Sequence, residues 1–320
     1  MSGGQTIEVV VTAIEQVTPL IKHFRLAAPR GEALPAFSGG SHVIVVMRGE
    51  KRVHRNPYSL LSAPQNLDTY EIAVRRMEES RGGSHFMHDR LQVGSRLEIA
   101  HPVNLFGLDK IARKHLMIAG GIGITPFLAQ LEDLHGGTVP YELHYSVRSA
   151  EHAAFLARLQ AREQDRVRIY YDSESQVIDF EGLLSKQPLG THVYVCGPAG
   201  FIGRVIDTAR ACGWSGSHIH WEQFSAPPTG DVFEVQLAKS KKKIVVPQDS
   251  TLLEAIEAAG VDVPYLCRGG VCGFCQSTVT ECDGELLHYD HFLSDAEKAS
   301  GKTIMPCVSR ARAKHLVLDV

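Results

Sequence analysis

The sequence has no excess of basic side chains. Its 33 Lys and Arg are outnumbered by 36 Asp and Glu, for a formal net charge of −3. That leaves no electrostatic footprint for a phosphate backbone, and nucleic acid is not expected as a partner. Long apolar runs are also missing. The uncharged stretch His115 to Leu131 holds three glycines and a proline and falls short of the roughly 18 apolar residues that a membrane span needs. The opening MSGGQTIEVV shows no basic segment followed by an apolar one, the pattern of a secretory leader. Seven cysteines, an odd number in 320 residues, argue against a disulfide framework. Repeats and low-complexity tracts are absent. A hydrophobic fraction of 44% and a charged fraction of 22% exclude disorder and coiled coil as the main architecture. These absences leave a cytoplasmic globular protein of two or three domains, with no membrane contact and with thiols that are free or metal-bound.

What is present is unevenly distributed. Cys196 and Cys212 stand alone, whereas Cys267, Cys272, Cys275, Cys282 and Cys307 fall within the last 54 residues. From Asp231 onward there are 13 acidic and 10 basic side chains, so the whole net charge belongs to that end. Ser225 to Gly230, with two prolines and a glycine, reads as a linker. The first hundred residues carry β-branched and apolar runs, Ile7 to Ile14, His42 to Met47 and Tyr70 to Arg75, between Gly and Pro punctuation. That spacing predicts a small antiparallel barrel. Beyond Lys114, short buried-strand runs (Leu116 to Ala119, Tyr141 to Val147, Val167 to Tyr171, His192 to Cys196) alternate with helical segments such as Phe127 to Leu134, Ala150 to Arg162 and Ala199 to Cys212. Alternation of this kind predicts a parallel sheet with crossover helices.

Three motifs carry chemistry. Cys267-x4-Cys272-x2-Cys275, with Cys307 after 31 more residues, has the plant-type spacing of four thiolate ligands for a 2Fe–2S cluster. Arg268, Gly269, Gly270 and Gly273 make that loop flexible enough for backbone amides to approach sulfur. A structural zinc site is the alternative, but zinc sites favour paired C-x2-C knuckles and here the fourth cysteine stands alone. Cys282 fits no ligand position. Upstream, Ser250-Thr251-x-x-Glu254 has helix-capping chemistry and Gly260 closes that helix. Second, Gly120-Gly121-Ile122-Gly123-Ile124-Thr125-Pro126 follows a short strand. Glycines let a backbone approach a pyrophosphate, the following helix offers its first amides, and Pro126 suits a first helical turn. Third, Arg55-Asn56-Pro57-Tyr58-Ser59-Leu60 precedes Arg81-Gly82-Gly83-Ser84 and a helical stretch His85 to Arg90. An arginine offers a forked phosphate partner, a tyrosine offers a flat ring face, and a glycine turn before a helix can seat an anion.

Taken together, these motifs resemble the class IA Rieske-oxygenase reductases of the phthalate dioxygenase reductase type, over essentially the whole chain. The resemblance implies a multidomain α/β plus β protein. Its parts would be an antiparallel FMN-binding β-barrel over residues 1–108, a doubly wound parallel-sheet NAD domain over 109–226, and a C-terminal β-grasp plant-type ferredoxin domain over 232–320. The family's R-x-Y-S flavin motif maps onto Tyr58 and Ser59, with Arg55 one residue further from the tyrosine than the pattern places it. The G-G-S segment maps onto Gly82, Gly83 and Ser84, which would bind the FMN phosphate. The strand Ile72 to Arg75 contributes Ala73 and Arg75, the latter at a basic position near that phosphate. G-G-x-G-x-T-P maps onto Gly120 to Pro126, with Gly121, Gly123 and Thr125 near flavin and nicotinamide. C-G-P maps onto Cys196, Gly197 and Pro198, and the E-x-F that closes the NAD domain onto Glu222 to Phe224, with the Phe224 ring facing flavin. The cluster ligands would be Cys267, Cys272, Cys275 and Cys307.

For the nicotinamide nucleotide, Arg148 after one strand could meet a pyrophosphate or a 2′-phosphate. Asp172 after the next would accept from ribose hydroxyls and repel a 2′-phosphate, with a solvated loop charge as its plain alternative. NADH is the expected donor. The implied function is a monomeric reductase that takes hydride from NADH onto FMN and passes single electrons through 2Fe–2S to a terminal Rieske-type oxygenase acting on aromatic rings or in O-demethylation. Hydride transfer needs no general acid or base, so the hydride-site candidates are Ser59, Thr125, Cys196 and Phe224, and the sixteen histidines receive no catalytic role. Alternatives are an FAD-dependent reductase of a monooxygenase and a non-catalytic electron carrier. Glu281, Asp283, Glu285 and Asp290, grouped after the third cluster cysteine, are candidates for steering the oxygenase, with plain solvation of a loop as the alternative.

Overall fold

The computed structural model describes residues 6–50, 52–163, 165–224 and 229–320. They form two compact units, one over Thr6–Phe224 and one containing residues 229–320. Residues 225–228 of the expected linker, and the expected boundary at 226, lie outside the described residues.

The first unit opens with strands β1 (Ile7–Thr18), β2 (Ile21–Ala27), β3 (Ser41–Arg48), β4 (Val53–Ser59) and β5 (Thr69–Arg75), then helix α1 (Gly83–Asp89), β6 (Arg96–Ile99) and β7 (Val103–Asn104). These strands make an antiparallel sheet in the order β4-β3-β6-β1-β2-β5, with β7 on β3. The Leu61 amide, donating to the Glu71 carbonyl at 2.9 Å, closes the sheet into a barrel. Alternate residues such as Val9, Val11, Val43, Val45, Tyr70 and Ile72 face a buried core, as period-two strands require. Pro57 is tolerated because β4 ends the hydrogen-bonded path, where a missing donor costs little.

A second sheet follows: β8 (Lys114–Gly120), α2 (Thr125–Leu134), β9 (Tyr141–Val147), α3 (Leu156–Glu163), β10 (Val167–Tyr171), α4 (Phe180–Leu184), β11 (Thr191–Cys196), α5 (Ala199–Ala211) and β12 (Ile219–Glu222). All neighbours pair parallel, in the order β10-β9-β8-β11-β12. β8 is buried from His115 to Gly120 and β11 throughout, the continuous apolar pattern of a sheet covered on both faces. The chain winds from β8 out to β10 and returns to the other side of β8 for β11, so a topological switch point lies between β8 and β11. The helix expected over Ala150 to Arg162 is broken. Ala150–His152 is a single 3₁₀ turn, and Phe155 takes a left-handed φ of 60° before α3 begins. Ile21, Leu61, Ala73 and Phe106 of the first hundred or so residues share one apolar cluster with Met117, Phe127 and Tyr194 of the second sheet. Residues on either side of position 108 therefore pack as a continuous core.

The second unit comprises β13 (Phe233–Leu237), β14 (Lys242–Val246), α6 (Leu252–Ala258), β15 (Ser277–Cys282), β16 (Glu285–Leu287), α7 (Asp295–Ser300), β17 (Thr303–Ile304), β18 (Arg310–Arg312) and β19 (Leu316–Leu318). Its main sheet runs β14-β13-β19-β15-β17, with β13 and β19 parallel and the other pairs antiparallel, and α6 packs Leu252, Leu253 and Ile256 into its core. This is a β-grasp. The capping box at α6 forms as the sequence implies: the Glu254 amide donates to Thr251 Oγ1 at 3.0 Å and the Thr251 amide to the Glu254 carboxylate at 2.9 Å. Gly260, with φ 68°, follows the helix end. Arg310 is 1% exposed. Its guanidinium donates to the carbonyls of Gly230, Asp231, Pro247 and Ser250, the pairing that a buried charge requires. Among the described residues no helix is long and apolar enough to cross a membrane.

Candidate functional site

The glycine-rich turn and the Cys-Gly-Pro turn meet at the switch point. Gly121–Ile124 is a 3₁₀ turn at the end of β8, and Cys196-Gly197-Pro198 leads from β11 into α5. A Cβ at Gly123 would overlap the Cys196 carbonyl, and one at Gly197 would lie 3.1 Å from Gly120 Cα. The two backbones approach closely because neither carries a side chain there. Gly121 takes φ 55° with open space around its missing Cβ. Thr125 is buried, and its hydroxyl donates to the Ile122 carbonyl at 3.1 Å. Cys196 is fully buried, and burial, with Glu222 nearby, pushes its thiol pKa well up, so at neutral pH it is an uncharged S–H group. Pro198 is exposed at the N-cap of α5, and Phe224, 42% exposed, stands just beyond β12. Arg148 and Asp172 are both exposed at the C-terminal ends of β9 and β10, and the Ser173 amide, donating to the Arg148 carbonyl at 2.9 Å, joins the two loops. The crevice outside the carboxyl ends of the strands is where open α/β sheets take their ligands.

β5 runs beside the glycine turn. Ala73 lies on the face that joins Ile124 in the shared core, and Arg75, two residues on, lies on the same face of the strand. Ser59 is 4% exposed, and its hydroxyl has no hydrogen-bond partner among the described residues. A buried hydroxyl left open calls for a partner from a bound group. Tyr58 packs against the barrel core, and desolvation pushes its phenol up to about 12 despite a hydrogen bond from Asn56 at 3.3 Å. Gly82 and Gly83 form a second close approach. A Cβ at Gly82 would lie 2.7 Å from His54 Cε1, and one at Gly83 would overlap the Asn56 amide. Ser84 is buried, accepting from the Met77 amide and donating to Ser80 Oγ.

Strand alternation separates residues that the motif lists together. His54, Asn56 and Tyr58 share one face of β4, opposite Met47, Val45 and Val43. Arg55 lies on the other face, opposite Val46, which pairs with Glu98 on β6. The structure therefore brings His54 and Asn56, not Arg55, against Gly82 and Gly83. The sequence signal that sets Asn56 on this face is its two-residue step back from Tyr58. The orphan Ser59 hydroxyl and the glycine-lined cradle fit a bound flavin.

In the second unit, the loop Cys267–Cys275 carries three positive φ angles, at Arg268 (51°), Gly270 (75°) and Gly273 (74°). A Cβ at Gly270 would lie 2.6 Å from Val308, and one at Gly273 would strike the Phe292 ring. The loop turns its amides onto sulfur. Gly269 N–H donates to Cys267 Sγ at 3.3 Å. The Cys272 thiol, together with the amides of Gly269, Val271 and Cys272, holds Cys267 down to about 5. The Cys307 thiol likewise lowers Cys275. Cys267, Cys275 and Cys307 are buried and Cys272 half-buried. Within each pair the partner thiol, followed by burial, raises Cys272 and Cys307. Four thiols gathered at one loop, with backbone amides turned onto sulfur, are the donor set of a 2Fe–2S cluster, and they fit it. Cys282 lies at the end of β15, opposite Leu316, away from this loop. Arg268 pairs with Glu257 and lies 3.9 Å over the Tyr265 ring.

Of the four carboxylates expected to steer a partner, Asp290 is buried. It accepts from the Leu293 amide at 2.9 Å and from Ser309 Oγ at 3.2 Å, so it organises the interior and is no surface charge. Glu281 and Asp283 bond to His315, and Glu285 lies 3.7 Å from Arg312.

Residues 8–107 match the family described as an oxidoreductase FAD-binding domain, 102–219 the N-terminal domain of dimethylamine monooxygenase subunit DmmA-like proteins, and 235–312 the 2Fe-2S iron-sulfur cluster binding domain. The chain is 49% identical over 313 residues to the carnitine monooxygenase reductase subunit of Acinetobacter baumannii, covering 97% of each. It is 39% identical over 321 residues to the vanillate O-demethylase oxidoreductase of a Pseudomonas species, covering 98% of this chain and 100% of the relative. The solved structure of phthalate dioxygenase reductase matches with a TM-score of 0.87 at 34% identity, covering 98% of each chain.

Proposed function

Because this chain belongs to the family of oxygenase reductases that includes these proteins, we propose that it is the NADH-dependent reductase component of a Rieske-type oxygenase system, with FMN and a 2Fe–2S cluster as its resident groups. When bound, a flavin turns a two-electron hydride donor into a one-electron source, and an iron–sulfur cluster relays single electrons. The chain's own residues bind, orient and insulate. Asn56, Arg75 and the Gly82-Gly83-Ser84 turn hold the flavin phosphate, and the Ser59 hydroxyl meets the flavin ring system. Gly120, Gly123 and Gly197 keep the crevice floor free of side chains, so a nicotinamide nucleotide can lie along backbone. Thr125 fixes the turn through Ile122, and the buried, uncharged Cys196 lines the nicotinamide end without acting as acid or base. Asp172 accepts from the adenosine ribose and disfavours a 2′-phosphate, with Arg148 beside it for the pyrophosphate. Cys267, Cys272, Cys275 and Cys307 are the cluster ligands.

The observation that carries this reading is the set of four thiols, three on the loop Cys267–Cys275 with its inward-turned amides and Cys307 against Cys275. Without it the chain would only reduce flavin or dyes; with it the chain supplies electrons singly to a docked protein. The test is anaerobic reduction of the purified protein by NADH in the presence of candidate Rieske oxygenases, with the released flavin identified after denaturation. FMN, about two irons per chain and reduction of an oxygenase are expected. Released FAD, a preference for NADPH, or stoichiometric zinc in place of iron would overturn it.

A further inference from the structure

The N-terminal end of the parallel sheet, opposite the crevice, carries a cluster of imidazoles that the electron-transfer chemistry does not use. His115, His192 and His220 are each the second residue of their strands, β8, β11 and β12. His192 registers with His115, and Tyr194 with His220. His192 Nδ1 lies 3.0 Å from His220 Nε2 and 3.7 Å from Asp109 Oδ2, and one ligating atom from each of the three residues falls within 4.8 Å of the others. We propose that Asp109, His192 and His220 form a binding site for a divalent transition cation of the zinc class, with its remaining position open to water.

Three lines of geometry support the site. The first is spacing. Ligand atoms at the corners of a tetrahedron with bonds of about 2.1 Å stand roughly 3.4 Å apart, and the two measured separations bracket that value. The second is fixation of each ligand. The His218 ring stacks on His192 at 4.3 Å, and Tyr194 stacks on His220 at 4.5 Å. The Asp109 amide donates to Tyr194 Oη at 2.8 Å, and the Asp109 carboxylate accepts from the Ile111 amide at 3.0 Å. The third is access: the His192 side chain is 2% exposed but that of Asp109 is 33% exposed, so one side of the site opens to solvent. His115 adds a buried Nδ1 with no hydrogen-bond partner among the described residues, a polar atom left over beside the cluster.

The electrostatics agree. Burial first, then repulsion from neighbouring imidazoles, lowers the pKa of His192 and His220, and burial with His192 beside it takes His115 down to about 4. Neutral imidazoles keep their lone pairs for a metal. The Ile111 amide holds the Asp109 carboxyl below its ordinary range. Two nitrogens and one carboxylate suit zinc, nickel, cobalt or copper. Calcium and magnesium, which prefer all-oxygen shells, are not expected to compete. The cation would tie the segment leaving the barrel, through Asp109, to two strands of the second sheet.

A direct N–H···N bond between His192 and His220 would produce the same 3.0 Å separation without a metal, so the test must tell the two apart. Holoprotein with flavin and cluster in place, washed with a mild chelator, is titrated with zinc chloride by calorimetry and its metal content measured. One zinc per chain, with iron unchanged, is expected. His220→Gln and Asp109→Asn should each weaken zinc binding by at least about tenfold while flavin and iron stay bound. Absence of stoichiometric zinc uptake, or unchanged affinity in both variants, would overturn the site. Should either variant fail to fold, a zinc-soaked crystal decides. An anomalous peak among the Asp109, His192 and His220 ligating atoms supports the site, and a peak only at the cluster thiols or none at all refutes it.

Discussion

At the loop Cys267–Cys275 the chemistry rests on side chains, and in the crevice between β8 and β11 on their absence. Three sulfurs in the loop and a fourth from Cys307 must all be present, with the loop backbone bent by three positive φ angles to surround them. In the crevice, Gly123 and Gly197 let two turns touch backbone to backbone. The two regions should therefore fail differently. Removal of one thiol is all-or-none for the cluster, whereas an added methyl in the crevice gives a graded loss set by how far the turns can separate.

The largest expected effect is at the loop. Cys272→Ser or Cys307→Ser should take iron from about two atoms per chain to none while NADH-driven dye reduction persists. Cys282→Ser, at its distance on β15, should change neither. Iron retained in both ligand variants would break the comparison at once. Next comes the flavin cradle, where Arg75→Ala should weaken flavin binding about ten- to hundred-fold, the cost of one charged hydrogen bond. Arg55→Ala should cost less, because Arg55 lies on the face of β4 opposite Asn56 and His54, the residues that stand against Gly82 and Gly83. Flavin titration of the two variants checks this, and equal losses would mean that strand alternation misplaced Arg55.

A graded effect is expected in the crevice. Gly123→Ala should cost about 1–3 kcal/mol of stability, the range for overpacking, with slower NADH oxidation. Gly203→Ala, on α5 with nothing within 4 Å of its missing Cβ, should gain about 0.5–1 kcal/mol. Chemical denaturation of the pair separates close approach from helix propensity. The smallest effect concerns the surface carboxylates. Replacing Glu281, Asp283 and Glu285 with neutral residues should slow oxygenase reduction by no more than about fivefold, since exposed charges with local partners contribute little, and should flatten its salt dependence. Stopped-flow reduction at low and high salt reads this. An unaltered rate would shift docking to the exposed rings of Phe274 and Phe292.

The same contrast explains what could be read in the sequence. The thiol spacing and the order of a β region before an α/β region were legible, because cysteine spacing and hydrophobic period are local properties; the β-grasp was implied only by the family resemblance. Strand limits such as Tyr141–Val147 and Val167–Tyr171 agree residue for residue. Less was legible wherever partners come from distant segments. The two-residue step from Tyr58 separates Asn56 from Arg55, but nothing local says that Asn56 meets Gly83, or that Asp290, one acidic residue among several, is buried under Ser309. The break at Phe155 was hidden because its helical pattern resumes one residue later. The histidines of β8, β11 and β12 are scattered over more than a hundred positions, and only parallel pairing sets them side by side.

Arg310 bears on how the electron-transfer module can be moved. Two of its four carbonyl partners, Gly230 and Asp231, precede the first strand of the β-grasp, β13. A splice made at Phe233, the natural-looking border, would strand an enclosed guanidinium without these two carbonyls. The module is thus portable only with its short leader attached. Chimeras that swap it among related reductases should keep the native residues from Gly230 onward, so that the graft carries its own latch.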